Sequence, residues 1–209
     1  MRSASSRQTL NRDRGGLPVS FVVRVEPMSR LAQHASIPIA FLVERIFEIS
    51  GPGNGLAGTA LTDVTVERPW EKDYDAITGE SPTLWLTRFD TTNWGLIAAY
   101  DGADRVGGAV IAFNTPGVNM LEGQADAAVL WDLRVHPDVR RSGVGTMLFS
   151  AVEDWARQRE CRALRIETQS INVPACRFYA RMGCSLGAVN QLAYSGLPDE
   201  VQLIWEKEL

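Results

Sequence analysis

Leu133-Arg134-Val135-His136-Pro137-Asp138-Val139-Arg140-Arg141-Ser142-Gly143-Val144-Gly145 is the stretch on which the reading of the fold turns. It reads as the end of a strand, a tight polar turn and a helix with two glycines in its first turn. The spacing Arg140-x-x-Gly143-x-Gly145, completed by Ser142, Val144 and Thr146, sets a row of backbone N–H groups at a helix N-terminus with little side chain in the way. The helix dipole favours an anion there, and glycine lets it approach closely. A pyrophosphate is the expected ligand, with Arg140 and Arg141 adding positive charge. The stretch has no Gly-Lys-Ser/Thr ending and no Gly-x-Gly-x-x-Gly, so neither the Walker loop nor the dinucleotide fingerprint applies. A glycine-containing helix start also arises for steric reasons alone.

On either side of the loop, Ala127 to Val135 reads as a strong strand. Gly143 to Arg159 reads as a helix with Val144, Met147, Leu148, Ala151, Val152 and Trp155 on one face. Ala163 to Thr168 is a strand, Val173 to Met182 a helix stopped by Gly183, and Cys184 to Tyr194 and Val201 to Trp205 are closing strands. Upstream, Trp94 to Tyr100 and Val106 to Phe113 flank Asp101-Gly102 as a hairpin, and Phe21 to Val25 and Leu61 to Glu67 are strand candidates. Pro27 to His34 suggests a helical turn, Phe41 to Ser50 is ambiguous in period, Gly51 to Gly55 is a loop by composition, and Pro69 to Pro82 reads as a polar connection. The second half thus predicts an α/β layer with two parallel strands joined by the first long helix. The anion loop then lies at the carboxyl end of the first strand, where such sheets bind ligands.

The 209 residues suit one domain over 21–209, preceded by a Ser/Arg/Gly-rich extension over 1–20 that reads as disordered and lacks the apolar core of a secretory signal. No apolar run nears the ~20 residues that span a membrane. Cys161, Cys176 and Cys184 are odd in number and lack metal-ligand spacing, which suits a reducing, cytoplasmic setting without a metal. Net charge is −4; residues 1–20 hold four Arg against one Asp, so the remainder carries −7. An acidic body speaks against nucleic acid and for a cationic ligand. A solubilising surface explains the same charge.

A second motif begins 27 residues after Gly145: Asn172-x-Pro174-Ala175-x-x-Phe178-Tyr179-x-x-x-Gly183. Asn172 is a good helix cap, and Pro174 is tolerated in a first turn. Together the two motifs resemble the GNAT N-acetyltransferases. The likeness extends to Glu71–Asp75, Leu130–Val135, Glu167–Gln169, Ile171–Arg181, Ala193-Tyr194 and Pro198–Trp205, which are similar to the streptothricin acetyltransferases within that family. Ser170 departs from an Asn common there, and residues 1–64 carry little of the likeness.

The resemblance implies the GNAT fold, α/β (α+β) with a mixed central sheet, a splayed parallel strand pair and flanking helices. It implies acetyl-coenzyme A as cofactor, a cationic small-molecule amine as partner, and direct transfer without a covalent enzyme intermediate. Such enzymes often dimerise. Arg140 to Thr146 would hold the pyrophosphate. The main chain of Leu133, Arg134 and Val135 would pair with the pantetheine arm, and an N–H near Leu133 or Arg134, where the family's strand bulges, would serve the developing oxyanion. Asn172, Ala175, Phe178 and Tyr179 would complete the cofactor site, with the Tyr179 hydroxyl protonating the departing thiolate. Cys176 would be a buried apolar group rather than a nucleophile.

An alkyl ammonium has a pKa of about 10.4, so a proton must leave before attack. Asp132 and Glu167, near the ends of adjacent strands, are the candidate bases. Each has a structural alternative; for Asp132 this is partnership with an arginine such as Arg134 or Arg165. Strand alternation puts Asp132 opposite Trp131 and Leu133. Trp131 and Tyr194, with Trp85 and Trp94, would shape a cation pocket, unless they are core. His136 reads as a solvated turn residue, and His34 has no assigned role. Two other readings share these motifs: transfer to another amine, such as an aminoglycoside, a polyamine or a protein N-terminus, and a non-catalytic acyl-coenzyme A sensor.

Overall fold

The computed structural model describes residues 20–51, 59–194, 196–197 and 199–209. Nearly all of the expected 1–20 extension and of the Gly51–Gly55 loop lies outside them. In chain order, β1 (Phe21–Glu26) leads to α1 (Leu31–Ala35), then to β2 (Phe41–Ser50) and β3 (Ala60–Lys72). Next come α2 (Trp85–Arg88), β4 (Gly95–Asp101), β5 (Asp104–Phe113) and β6 (Ala127–Val135). The chain ends with α3 (Val144–Arg157), β7 (Ala163–Gln169), α4 (Val173–Arg181), β8 (Ser185–Asn190) and β9 (Gln202–Glu208). Seven strands form one mixed sheet in the order β1-β4-β5-β6-β7-β9-β8, and β2 and β3 form a separate antiparallel pair.

The ambiguous segment Phe41–Ser50 is therefore a strand. The polar connection expected from Pro69 begins later, because β3 runs to Lys72. Pro69 falls where the β2–β3 register jumps from Arg45↔Thr65 to Val43↔Trp70, so its missing N–H costs no ladder bond.

Apolar clusters fill both faces of the large sheet. On one, α3 buries Val144, Leu148, Phe149 and Val152 against Ala109, Ile111, Ala128 and Leu130. On the other, Leu31, Trp85 and Trp94 cover Leu96, Val110, Ala112, Ala127 and Val129. Burial at this scale, about 25 cal/mol per Å² of apolar surface, makes both faces of the central strands apolar and explains their nearly continuous hydrophobic runs.

The central strand β6 shapes the ligand-facing end of the sheet. It pairs with β5 as Ile111↔Leu130 and then Val110↔Asp132, leaving Trp131 as an extra residue in a β-bulge. Its parallel pairing with β7 covers only Ala127↔Ala163 to Leu130↔Ile166. Beyond that point the two strands part, while β7 stays paired with β9 along its length. A wedge opens between them, and the β7-facing edge of residues 131–135 has no ladder partner among the described residues.

Candidate active site

The wedge opens into a cavity of about 970 Å³ whose walls include Asp132, Glu167, Tyr179, Tyr74 and the start of α3. At that start Gly143 takes φ +97°, a backbone shape that favours glycine, and Arg141 takes φ +65°. Ser142 Oγ donates to the Val139 carbonyl at 2.6 Å, closing the turn. The first amides of α3 have no intrahelical acceptor, and those of Val144, Gly145 and Thr146 have no other partner among the described residues. The Arg140 guanidinium turns aside. It donates to the carbonyls of Val135 at 3.1 Å and Ala40 at 3.1 Å, and so ties the segment before β2 to the loop. Partial burial lowers its pKa.

On the facing helix, Asn172 Oδ1 accepts from the Ala175 N–H at 3.2 Å, so the cap expected at α4 is present. Ala175 and Phe178 are half-buried in the cavity wall, and Phe178 stands edge-on to Phe149. The Tyr179 ring is buried against Phe178 and Phe149, and its hydroxyl has no hydrogen bond among the described residues. Burial, with the charge of Asp132, pushes its pKa up, so it stays protonated. Cys176 packs behind it, and burial pushes its thiol up to about 11, which fits an inert apolar role.

The two candidate carboxylates have different partners. Asp132 Oδ1 accepts from His34 Nε2 at 2.9 Å, while Arg134 grips both oxygens at 2.9–3.1 Å. Arg134 is itself 1% exposed and also bonds Asp75 at 2.5 and 2.8 Å. Burial alone would raise the Asp132 carboxyl; the His34 hydrogen bond and the Arg134 guanidinium outweigh it and hold it below the usual carboxylate range. Asp132 is thus the arginine partner that the sequence offered as the alternative to a base. Simple alternation fails as well. The bulge lets Asp132 pair with Val110, on the same face as Trp131, and that face carries α1 and His34.

Glu167 has no cationic partner among the described residues. Its Oε1 accepts from Tyr194 Oη at 2.5 Å and its Oε2 from Gln202 Nε2 at 2.8 Å. Burial and the Glu167 charge raise the Tyr194 pKa, so Tyr194 remains a donor. Gln169 donates to the same hydroxyl at 3.1 Å. Beside this group, Glu200 is 6% exposed and takes both the Lys72 ammonium and the Tyr74 hydroxyl.

Of the aromatic candidates, Trp131 is half-buried on the cavity wall, with Phe89, Trp94 and Trp85 packed around it at 5.2–6.1 Å. Trp85 and Trp94 are core, and Trp94 Nε1 donates to Thr115. His136 is a half-buried turn residue whose ring accepts from the Asp138 N–H. Sequence reasoning missed His34, Asp75, Lys72, Tyr74, Glu200 and Gln202. Five of these lie in the segments 71–75 and 198–205, singled out for likeness without a role; nothing local marks His34.

A family model described as the acetyltransferase (GNAT) family matches residues 62–184. The chain belongs to that family. It is 39% identical over 80 residues to streptothricin acetyltransferase A of Bacillus subtilis, a match covering 37% of this chain and 46% of that one. It is 24% identical over 161 residues to the streptothricin acetyltransferase of Streptomyces lavendulae, covering 77% and 79%. A Bacillus anthracis protein solved in complex with acetyl coenzyme A shares the fold, with a TM-score of 0.71 and 24% identity, over 91% of this chain and all of that one. The chain thus spans about half the length of the first relative and most of the second. Among the described residues no helix is long and apolar enough to cross a membrane.

Proposed function

We propose that this chain is an acetyl-coenzyme A-dependent N-acetyltransferase whose acceptor is an amino group of a cationic small molecule, streptothricin first among the candidates. The observation that carries the reading is Glu167. It is a carboxylate with no cationic partner among the described residues, held by Tyr194 and Gln202 where β6 and β7 part, in the same cavity as Tyr179 and the α3 amides. A cavity that supplies a fixed, uncompensated carboxylate recruits a cation.

Acetyl-coenzyme A fits the other side. The unpartnered amides of Val144, Gly145 and Thr146, with Gly143 at φ +97°, suit its pyrophosphate. The open edge of residues 131–135 suits the amide-bearing pantetheine arm as an added strand would. Bound there, it supplies a thioester-activated acetyl group. Asn172, Ala175 and Phe178 complete that wall.

Each remaining step belongs to the chain. Glu167 attracts the acceptor ammonium and takes its proton, directly or through one water, leaving a free amine. Asp132 does not serve as base in this reading, because Arg134 and His34 stabilise its ionised form and weaken its hold on a proton. An N–H of the open edge next to the bulge at Trp131 would serve the oxygen on which charge develops. As the new C–N bond forms and the C–S bond breaks, Tyr179 gives its proton to the leaving sulfur. Tyr179 belongs to the core on the α3 face, whereas Trp131 packs with the core on the α1 face. A simple thiol has a pKa of about 8.5, so this last proton assists modestly.

The test is release of coenzyme A thiol with mass detection of products, using streptothricin alongside aminoglycosides, polyamines and a peptide N-terminus. One acetyl group gained by streptothricin alone bears out the acceptor, and gain by another amine reassigns it. Tight acetyl-coenzyme A binding with no acetylated amine would overturn the enzyme reading in favour of a sensor.

A further inference from the structure

Glu167 and Glu200 are carboxylates that the chain treats in opposite ways. Glu167 on β7 has no cationic partner among the described residues and is held by Tyr194 and Gln202. Glu200, two residues before Gln202, is 6% exposed and is paired with the Lys72 ammonium. Its other oxygen accepts from Tyr74 Oη at 2.7 Å. Lys72 Nζ lies 4.7 Å from the centre of the Tyr74 ring, so one ammonium is held by a carboxylate and an aromatic face together.

This group borders the acceptor side of the cavity. Lys72 ends β3 opposite Phe41, the first residue of β2, and the Phe41 and Tyr74 rings stand 6.2 Å apart. Both rings are half-buried, and both line the cavity that holds Glu167. Burial pushes the Tyr74 pKa up, and the Glu200 hydrogen bond and the charges of Glu200 and Glu167 add to it, so both carboxylates act on one hydroxyl. Stability alone does not call for the Lys72–Glu200 pair, since apolar groups in place of a buried ion pair are often as good. Its consequence for the site is one of charge. Lys72 cancels Glu200 and occupies a face of Tyr74, and Glu167 is left uncompensated.

We propose that Lys72 is a specificity-determining residue for the acceptor: it fills, from within the chain, the place that a second ammonium would take on Glu200 and Tyr74. An acceptor then sets one ammonium at Glu167 and lays an uncharged stretch along the Phe41–Tyr74 wall. The inference rests on the reading of Glu167 as the acceptor carboxylate and extends it to the part of the acceptor beside the reacting amine. Without Lys72, a carboxylate and an aromatic face would be open to a second cation, which in a partly buried setting is worth a preference of about tenfold.

The test is competition in one reaction between an n-alkylamine and the α,ω-diaminoalkane of the same length, over chains of three to six carbons, with acetyl-coenzyme A and mass detection of both products. The product ratio gives the ratio of the two kcat/KM values and does not depend on how much of a variant is folded. Lys72→Ala should raise the diamine-to-monoamine ratio about tenfold over wild type at one or more chain lengths. Lys72→Arg, which keeps the charge, should leave the ratio near wild type. Adding Glu200→Gln to Lys72→Ala should abolish the gain. An unchanged ratio in Lys72→Ala overturns the inference, and so does a gain that survives loss of the Glu200 charge. Wild type that acetylates streptothricin but no alkylamine also overturns it and leaves the proposed function standing. Wild type that acetylates no amine at all overturns the reading of Glu167 itself.

Discussion

His34 on α1 and Asp132 on β6 stand 98 positions apart in the chain, and His34 Nε2 lies 2.9 Å from Asp132 Oδ1. The contact exists because β5 carries glycine at 108. A Cβ there would fall 2.4 Å from His34 Nδ1, so the ring occupies the space the side chain would have filled. Arg134 closes the other side of Asp132 and reaches on to Asp75. The network ties two distant segments, α1 and the stretch holding Asp75, to the bulged part of β6, the strand whose departure from β7 opens the cavity.

Gly108→Ala should therefore destabilise the fold by about 2 kcal/mol or more through overpacking against a buried ring. Chemical denaturation checks this. In a His34→Ala background the same change should cost distinctly less, since the two positions share one space. Additive costs would refute the coupling.

Asp132 makes stability depend on acid. Its folded-state pKa is depressed, so its contribution is full above its unfolded value of about 3.9 and is lost as pH falls through the folded value. Asp132→Asn should lower stability by about 3 kcal/mol at pH 7, because it leaves Arg134 buried with one carboxylate fewer. The gap between variant and wild type should narrow below about pH 4. Denaturant unfolding at a series of pH values measures it, and a gap constant with pH would contradict the assignment.

The two glycines of the α3 loop should respond differently. Gly143→Ala forces a Cβ onto φ +97° and should cost roughly 1–2 kcal/mol, with weakened acetyl-coenzyme A binding. At Gly145 an added Cβ would lie 3.5 Å from Phe178, an ordinary contact, so Gly145→Ala should shift stability by less than about 0.5 kcal/mol. Thermal melts with and without ligand separate the two.

Tyr179→Phe removes a hydroxyl that has no hydrogen bond among the described residues, so stability and cofactor affinity should hold. In the proposed reaction kcat should fall on the order of 10²-fold, as expected for loss of a general acid. Glu167→Gln should lower kcat/KM at least as far, with acetyl-coenzyme A affinity retained. Steady-state kinetics and calorimetry decide both; an unchanged kcat in either variant removes that residue from the mechanism.

All three cysteines are buried, and burial pushes the thiols of Cys176 and Cys184 up to about 11. Native protein at pH 8 should therefore react slowly with a disulfide reagent, and three thiols should titrate only after unfolding. Fast native modification of Cys176 would revive it as a nucleophile.

Much of the architecture was legible locally. The bounds of β6, the apolar face of α3 and the Asn172 cap with Pro174 behind it each come from neighbours within one or two turns of chain. The β2–β3 pair was harder to read. Phe41–Ser50 has mixed burial and no clean period, and β3 tolerates Pro69 only because of a register shift that no single strand reveals.

Local sequence alone set where the glycine-containing loop before α3 lies and how that helix starts, because glycine conformations, caps and the 3.6-residue period are properties of near neighbours. It left Asp132 and Glu167 equivalent, as carboxylates near the ends of neighbouring strands. Folding separated them. One extra residue at Trp131 turned Asp132 toward His34 and Arg134, while the parting of β6 from β7 left Glu167 with Tyr194 and Gln202 and no cation among the described residues. Register and ion pairing depend on groups brought together from distant parts of the chain, and a carboxylate's chemistry is set by those neighbours.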